Sequence, residues 1–467
     1  MSRLRAAVLA GCLAITASLD AAPRQVDLIL TGGTVITMDG AHRVLRPGAI
    51  AVDGPDILAV DTPEALAAQF TARDTIDTTG KIVLPGLINT HGHAPMVLYR
   101  GLADDLALMD WLTRYIFPAE AKTVSAEMVA AGTRLAALEM IQSGTTTFTD
   151  MYYFEEEIAK AAKAAGLRGV LGETIIKFPA PDAKTPADGL ARAESFIKTF
   201  VGDPLITPAI APHSAYTLDK SVLLACRDLA LKYKVPLITH LAETEDEVRI
   251  IREQSDLTPT AYLESIGFWA PRTVAAHGVW VTDEDVAILA KRGVGVAHNP
   301  ESNMKLASGT APVPKYLAAK VALGLGTDGA ASNNDLDMFE AMRQAAFLHK
   351  LESHDPRMVP APVALELATM GGARVLGLDR EIGSLETGKR ADLIVVGVNR
   401  ARQTPLYDPI SHLVYASRGD DVETTIVNGQ VLMRDRKVRT LDEASVLAEA
   451  NRLAVRIRQA VETKAVR

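Results

Sequence analysis

A chain of 467 residues has far more material than one small core needs, so a large barrel with a second domain is the natural expectation. Hydrophobic residues make up 48% and charged residues 23%, the balance of a soluble globular enzyme. The net charge of −8 and the lack of a basic stripe set nucleic-acid binding aside, and two cysteines, Cys12 and Cys226, make neither a disulfide framework nor a thiolate metal site.

At the start, Arg3 and Arg5 precede an apolar run from Ala6 to Ala17 and then small residues to Ala22. That order reads as a signal peptide over 1–22, too short to span a membrane as a mature helix. Cleavage near Ala21 or Ala22 gives an exported, periplasmic protein. Leu9-Ala10-Gly11-Cys12 offers lipidation of Cys12 as the alternative, and a mis-assigned start would leave the chain cytoplasmic. Cys226 is expected to be a buried small hydrophobe.

From Val26 to Ile82 short apolar segments alternate with turns. Val26–Leu30, Thr34–Thr37 and Ala49–Val52 read as strands, with Gly32-Gly33 and Asp53-Gly54 as turns. Late in the chain Ala391–Val396 and Thr425–Leu432 read the same way, the second holding an Asn428-Gly429 hairpin turn. The two ends together predict one discontinuous β-sandwich from 23–84 and 381–440. An amphipathic helix from about Leu441 to Glu462 follows, within a terminal segment 441–467.

Between these ends, over 85–380, strands alternate with helical stretches such as 126–143, 221–233 and 283–291. Strands are expected in the stretch 84–93 and at 145–150, 168–173, 206–211, 235–240, 273–277, 293–298 and 321–328. Eight strands with intervening helices predict an α/β fold, a (β/α)8 TIM-type barrel. Catalytic groups in such barrels sit at the C-terminal strand ends, and His91, His213, His240, His277, His298 and Asp328 all fall there. His42, His349, His354 and His412 fall in loops or helices and are given surface or packing roles.

The stretch Leu84–His93 is an apolar run ending in His91-Gly92-His93. On a strand those two histidines would share one side. With His240 at the fifth strand end and Asp328 at the eighth they give three imidazoles and one carboxylate, a mononuclear set suited to Zn²⁺, with Fe²⁺ as the alternative. No lysine ends the fourth strand to carry a bridging carbamate, so one divalent ion is expected. Any one of these histidines alone would read as a structural residue; their sharing one barrel face argues otherwise. Glu243, three residues after His240, can take a proton from water and deliver it to a substrate ring nitrogen. His277 could orient and polarise that water, and Asp328 could also accept its proton.

These residues bring a resemblance into view. Pro85–His93, Arg100–Leu106, Trp111-Leu112 with Pro118-Ala119-Glu120, Ala211–Ser214, His240–Thr244, Ala276–Gly278, Asn299–Leu306, Gly326–Gly329 and Gly383–Leu393 resemble the amidohydrolase superfamily. More narrowly they resemble its branch of 5′-methylthioadenosine and S-adenosylhomocysteine deaminases, akin to cytosine deaminases and triazine hydrolases. The resemblance implies hydrolytic deamination of an adenine nucleoside to the inosine analogue, with release of ammonia. It also implies that Glu120 accepts hydrogen bonds from the ribose hydroxyls, that Trp111 packs on the 5′ substituent, and that His213 donates to the nucleoside. Phe117 stands where the family pattern often has tryptophan, which leaves the reaction intact and blurs the substrate. The rival activity is deamination of a guanine-like or pyrimidine base, or triazine-type hydrolysis. A binding protein without catalysis would need a lost ligand or a lost Glu243, and neither is lost. The expected partner is a small purine nucleoside or related heterocycle. Nucleic acid and stable membrane insertion of the mature chain are not expected, and a homo-oligomer stays open.

Overall fold

The computed structural model describes residues 22–462. The expected leader, Cys12 included, lies outside the described residues apart from Ala22. No helix among the described residues is long and apolar enough to cross a membrane.

Two sheets carry the fold. The nine-stranded sheet is built from both chain ends. Its path runs Lys437–Val438, Gln430–Arg434, Val422–Val427, Leu393–Gly397, Lys81–Pro85, Arg24–Ile36, Val44–Asp53 and Asp56–Asp61, with Phe70–Asp77 added beside Arg24–Ile36. The ends join antiparallel, Leu84 facing Ile394 and Val83 facing Val395. The far edge returns to the same place: Asp56 bridges to Arg390, and the Ile57 N–H donates to the Lys389 carbonyl at 2.8 Å. The expected sandwich is therefore one mixed sheet brought back on itself around Leu30, Ile50, Ile57, Val83, Leu393 and Ile426. Gly32-Gly33 is not a turn. It is an irregularity inside one long strand, which pairs first with Phe70–Asp77 and then with Lys81–Pro85, so both halves are held in line. Asn428 and Gly429, both at positive φ, make the expected tight hairpin.

The second sheet has eight parallel strands: β1 (Leu87–Asn89), β2 (Thr145–Tyr152), β3 (Arg168–Ile175), β4 (Ile206–Pro212), β5 (Leu237–Leu241), β6 (Thr273–His277), β7 (Gly295–His298) and β8 (Leu323–Leu325). They neighbour one another in chain order. Their near-continuous apolar runs suit strands covered on both faces, and Ile88, Met151, Val170, Ala209, Ile238, Val274 and Ala297 share one core. The barrel closes between β1 and β8. Thr90 N–H donates to the Leu325 carbonyl at 2.9 Å, and the Asn89 amide donates to Thr327 Oγ1 at 2.7 Å while accepting from Thr327 N–H at 3.1 Å.

The opening stretch Leu84–His93 is split between the two sheets at Gly86. A Cβ there would lie 2.1 Å from Thr146 Oγ1, so only glycine lets the chain cross from one sheet to the other. Helices between strands start on side-chain caps. Ser125 Oγ accepts from Met128 N–H ahead of Ala126–Ser143, and Thr282 with Asp285 forms a capping box ahead of Asp283–Arg292. The last helix, Glu443–Glu462, is tied to Ala126–Ser143 by an Arg134–Glu449 ion pair of 2.6 Å.

Candidate active site and metal centre

The C-terminal ends of β1, β4, β5, β6 and β8 deliver their polar residues to one place. His91 and His93 lie past β1 rather than on it, because the strand ends at Asn89 and His93 leads into the turn Ala94–Tyr99. Their approach is set by backbone: His91 carbonyl accepts from Asp328 N–H at 3.0 Å, and Asp150 accepts from Ala94 N–H. His277 and Asp328 reach the centre in left-handed backbone, φ 75° and 63°. Such conformations cost a non-glycine residue of order 1–3 kcal/mol and persist where surrounding contacts enforce them.

The nitrogens of this cluster are committed in a consistent way. His93 Nδ1–H donates to the Met151 carbonyl at 2.7 Å, and His240 Nδ1–H donates to the His213 carbonyl at 2.8 Å. That leaves two Nε2 lone pairs facing each other at 3.4 Å. Both ring nitrogens of His91, which is 0% exposed, lack a hydrogen-bond partner, and so does His277 Nε2. Asp328 Oδ1 stands 3.5 Å from His91 Nε2 and 3.3 Å from His93 Nε2. Two sets, His91 with His93 and His240, and His91 with His277 and Asp328, each offer donor atoms within 4.8 Å of one another. Buried lone pairs turned on one point, with their protons held by backbone carbonyls outside it, are the environment of a cation. Nitrogen donors with one carboxylate suit a divalent ion of the zinc class.

Asp328 is kept ionised. Burial pushes its pKa up, but the His91 and His93 imidazoles beside its Oδ1 hold it well below the usual carboxylate range. Ser302 Oγ donates to its Oδ2 at 2.7 Å and Gly329 N–H to its Oδ1 at 2.7 Å. Glu243 follows Ala242, which also has a positive φ of 48°. Its Oε2 lies 3.8 Å from His277 Nε2, and burial raises its pKa. His277 is turned by Nδ1 against Asn303 Oδ1 at 2.9 Å.

Above this cluster opens a cavity of about 650 Å³ including its mouth, within the usual range for small-molecule sites. His93, His213, His240, Glu243, His277 and Asp328 line its floor, and Trp111 and Glu120 line it too. His91 sits fully buried behind them. Trp111 and Glu120 come from helical turns over 108–123, with a wide π turn at Trp111–Ile116. Such turns are frequent at functional sites. Glu120 Oε1 accepts from the Tyr152 hydroxyl at 2.6 Å, and burial, against that bond, pushes its pKa up to about 7. Burial pushes His213 down to about 3, so it stands as a neutral imidazole beside Ser214 and Thr217.

His298 stays apart. Its Nε2 lies 3.0 Å from Nε2 of His349, a buried helix residue that has the expected packing role. Cys226 is fully buried, as expected. Sequence reasoning missed Tyr152, Ser302 and Asn303. Tyr152 carried a usable signal, a tyrosine at a barrel strand's C-terminal end. Ser302 and Asn303 lay inside the Asn299–Leu306 stretch but acted only through partners that no spacing reveals.

Comparison with known proteins agrees with this geometry. The model of the amidohydrolase family matches residues 82–432. The chain is 49% identical over 430 residues, 92% of its length and 98% of the relative's, to a 5-methylthioadenosine/S-adenosylhomocysteine deaminase of Syntrophobacter fumaroxidans. It is 44% identical over 432 residues, 92% and 98% of the two chains, to a 5'-deoxyadenosine deaminase of Methanosarcina barkeri. Its fold matches the crystal structure of an adenosine deaminase from Xanthomonas campestris with bound zinc, at a TM-score of 0.92 and 38% identity over 94% of this chain and 100% of that one.

Proposed function

The chain belongs to the amidohydrolase family, and on that premise we propose that it deaminates adenine nucleosides hydrolytically, releasing ammonia and leaving the inosine analogue. The observation that carries this reading is one cavity holding both halves of the task. Glu243 and the histidine–aspartate cluster form its floor, and a carboxylate and an indole suited to a ribose and its 5′ group form its wall.

Three imidazoles and a carboxylate, His91, His93, His240 and Asp328, would hold one divalent ion, which we take to be zinc. Bound there, the ion supplies Lewis-acid activation of water and charge stabilisation. The remaining work falls to side chains. Glu243 receives a proton from the attacking water and passes it to the ring nitrogen beside the amino-bearing carbon. A raised pKa suits a group that must both take and give a proton near neutrality. A further proton delivered to the amino nitrogen lets ammonia leave. His277 Nε2, 3.8 Å from Glu243 Oε2 and 3.9 Å from Asp328 Oδ2, stands between both carboxylates, where it orients the water. Asp328 accepts the second proton of that water.

Glu120 offers carboxylate oxygens to the vicinal diol, Trp111 gives the 5′ group an apolar face, and His213 donates to the nucleoside. The test is a panel of adenosine, 5′-methylthioadenosine, adenine and guanine, scored by ammonia release from zinc-loaded protein. Nucleosides should exceed free bases in kcat/KM by at least roughly a hundredfold, because a buried acceptor built for hydroxyls is left unpaired by a base. Equal use of bases and nucleosides would place the enzyme with the base deaminases.

A further inference from the structure

Glu247 is a buried carboxylate, 2% exposed, that makes no ion pair with a lysine or arginine among the described residues. Its Oε2 accepts from the Glu243 N–H at 3.0 Å, and its Oε1 has no hydrogen-bond partner there. Burial pushes its pKa up to about 7, against the N–H groups of Glu243 and Ala242, which favour the charged form. A carboxylate is costly to bury unless it is bonded, and these N–H groups are what it bonds. Helix capping does not account for the contact. Glu247 is the third residue of the helix Glu245–Ser255, whose N-cap is Thr244. Thr244 Oγ1 accepts from the Glu247 N–H at 3.4 Å, one half of a capping box. The other half would return to the Thr244 N–H. Here the return bond passes over Thr244 and lands on Glu243.

The peptide between Ala242 and Glu243 is thereby held at both ends. Its carbonyl accepts from the Val279 N–H at 3.1 Å and the Trp280 N–H at 2.9 Å, in the segment that follows His277. Its N–H is held by Glu247. Ala242 has a φ of 48°, a left-handed conformation that surrounding contacts must enforce. Past this peptide the Glu243 side chain turns into the cavity, 3.8 Å from His277 Nε2, while Glu247 lines no part of it. We propose that Glu247 is a positioning residue for the proton transfer. Its carboxylate fixes the peptide that carries Glu243, and so sets the reach of Glu243 to the substrate ring. This rests on the reading above, in which Glu243 moves the proton, and extends it by one residue.

The experiment measures ammonia release from adenosine and 5′-methylthioadenosine by zinc-loaded, full-length wild type, Glu247→Ala, Glu247→Gln and Glu247→Asp, with zinc content determined for each. Glu247→Ala should lower kcat roughly ten- to hundredfold, the scale of a small misplacement of a reacting group, with KM and zinc content unchanged. Glu247→Gln should recover most of that loss, because an amide oxygen can accept the same N–H. Glu247→Asp keeps the charge but falls one methylene short, so its kcat should stay low. If Glu247→Ala does not fold, the other two decide: kcat near wild type in Gln and at least about tenfold lower in Asp is expected, and equal kcat in both overturns the assignment. A kcat within twofold of wild type in Glu247→Ala, or a loss that follows KM or zinc content alone, also overturns it and leaves deamination standing. A wild type that releases ammonia from neither nucleoside overturns the nucleoside reading itself.

Discussion

Glu243 lines the cavity 3.8 Å from His277 Nε2, and in the proposed mechanism its shape matters less than its proton. Glu243→Gln keeps volume and hydrogen bonding and removes the titratable group. Turnover should fall roughly a hundred- to ten-thousandfold, with metal content unchanged by elemental analysis. Near-normal turnover would assign the proton to another residue. Glu120 is the second residue whose charge state matters. Its pKa is pushed up to about 7 by burial and held from going higher by the Tyr152 hydroxyl. The carboxylate is the form that accepts from two hydroxyls. The preference for adenosine over 2′-deoxyadenosine should therefore shrink as pH falls below about 7, since the added proton spoils the acceptor pair. Tyr152→Phe removes a bond that favours the ionised form, so the same loss should set in at higher pH. A ratio flat with pH in both proteins would show that Glu120 does not read the diol.

The elements hold these residues by contacts at the barrel seam more than by the strands themselves. β1 and β8 are three residues each, and Asn89 bridges them, accepting from His91 N–H at 3.3 Å as well as from Thr327 N–H. Asn89→Ala leaves buried donors without acceptors. It should cost about 1–3 kcal/mol in denaturant unfolding and speed metal loss to a chelator. Unchanged stability with unchanged metal retention would mean the seam holds without it. This seam also explains what could be read from sequence. The strand-end positions of His240 and His277 were legible because apolar runs ending in polar residues mark barrel strands, whereas Asp328, expected to end β8, lies three residues past it. That His91 and His93 lie beyond their strand was not legible, because the chain there follows hydrogen bonds to residues more than two hundred positions away. The helical turns carrying Trp111 and Glu120 leave no mark in the sequence for a related reason. A π turn has no hydrophobic period of its own, and its shape follows the cavity it lines. The Gly32-Gly33 misreading is the converse case, where local turn chemistry was overridden by pairing on both edges.

At the scale of the whole molecule, the barrel and the nine-stranded sheet are joined by a nearly dry ion pair. Arg168 at the start of β3 meets Asp392 through Nε at 2.8 Å and Nη2 at 3.2 Å, with side chains 5% and 2% exposed. Asp392 also accepts from the Asn428 N–H at 2.6 Å in the hairpin turn. Asp392→Ala strands a buried guanidinium and should lower stability by about 3–5 kcal/mol, read as a lower midpoint in chemical denaturation. A midpoint within error of wild type would show that the two sheets do not depend on this contact. The same join fixes the chain at Gly86, one step before β1, and so bears on the site from a distance.

The proposed chemistry depends on a divalent ion held by His91, His93, His240 and Asp328. Ammonia release from 5′-methylthioadenosine should be measured on protein stripped by a chelator and then titrated with zinc. Activity should vanish on stripping and return in proportion up to one zinc per chain, while His91→Ala recovers neither zinc nor activity. Full ammonia release from protein analysed as free of metal would contradict the assignment of His91, His93, His240 and Asp328 as a catalytic metal centre.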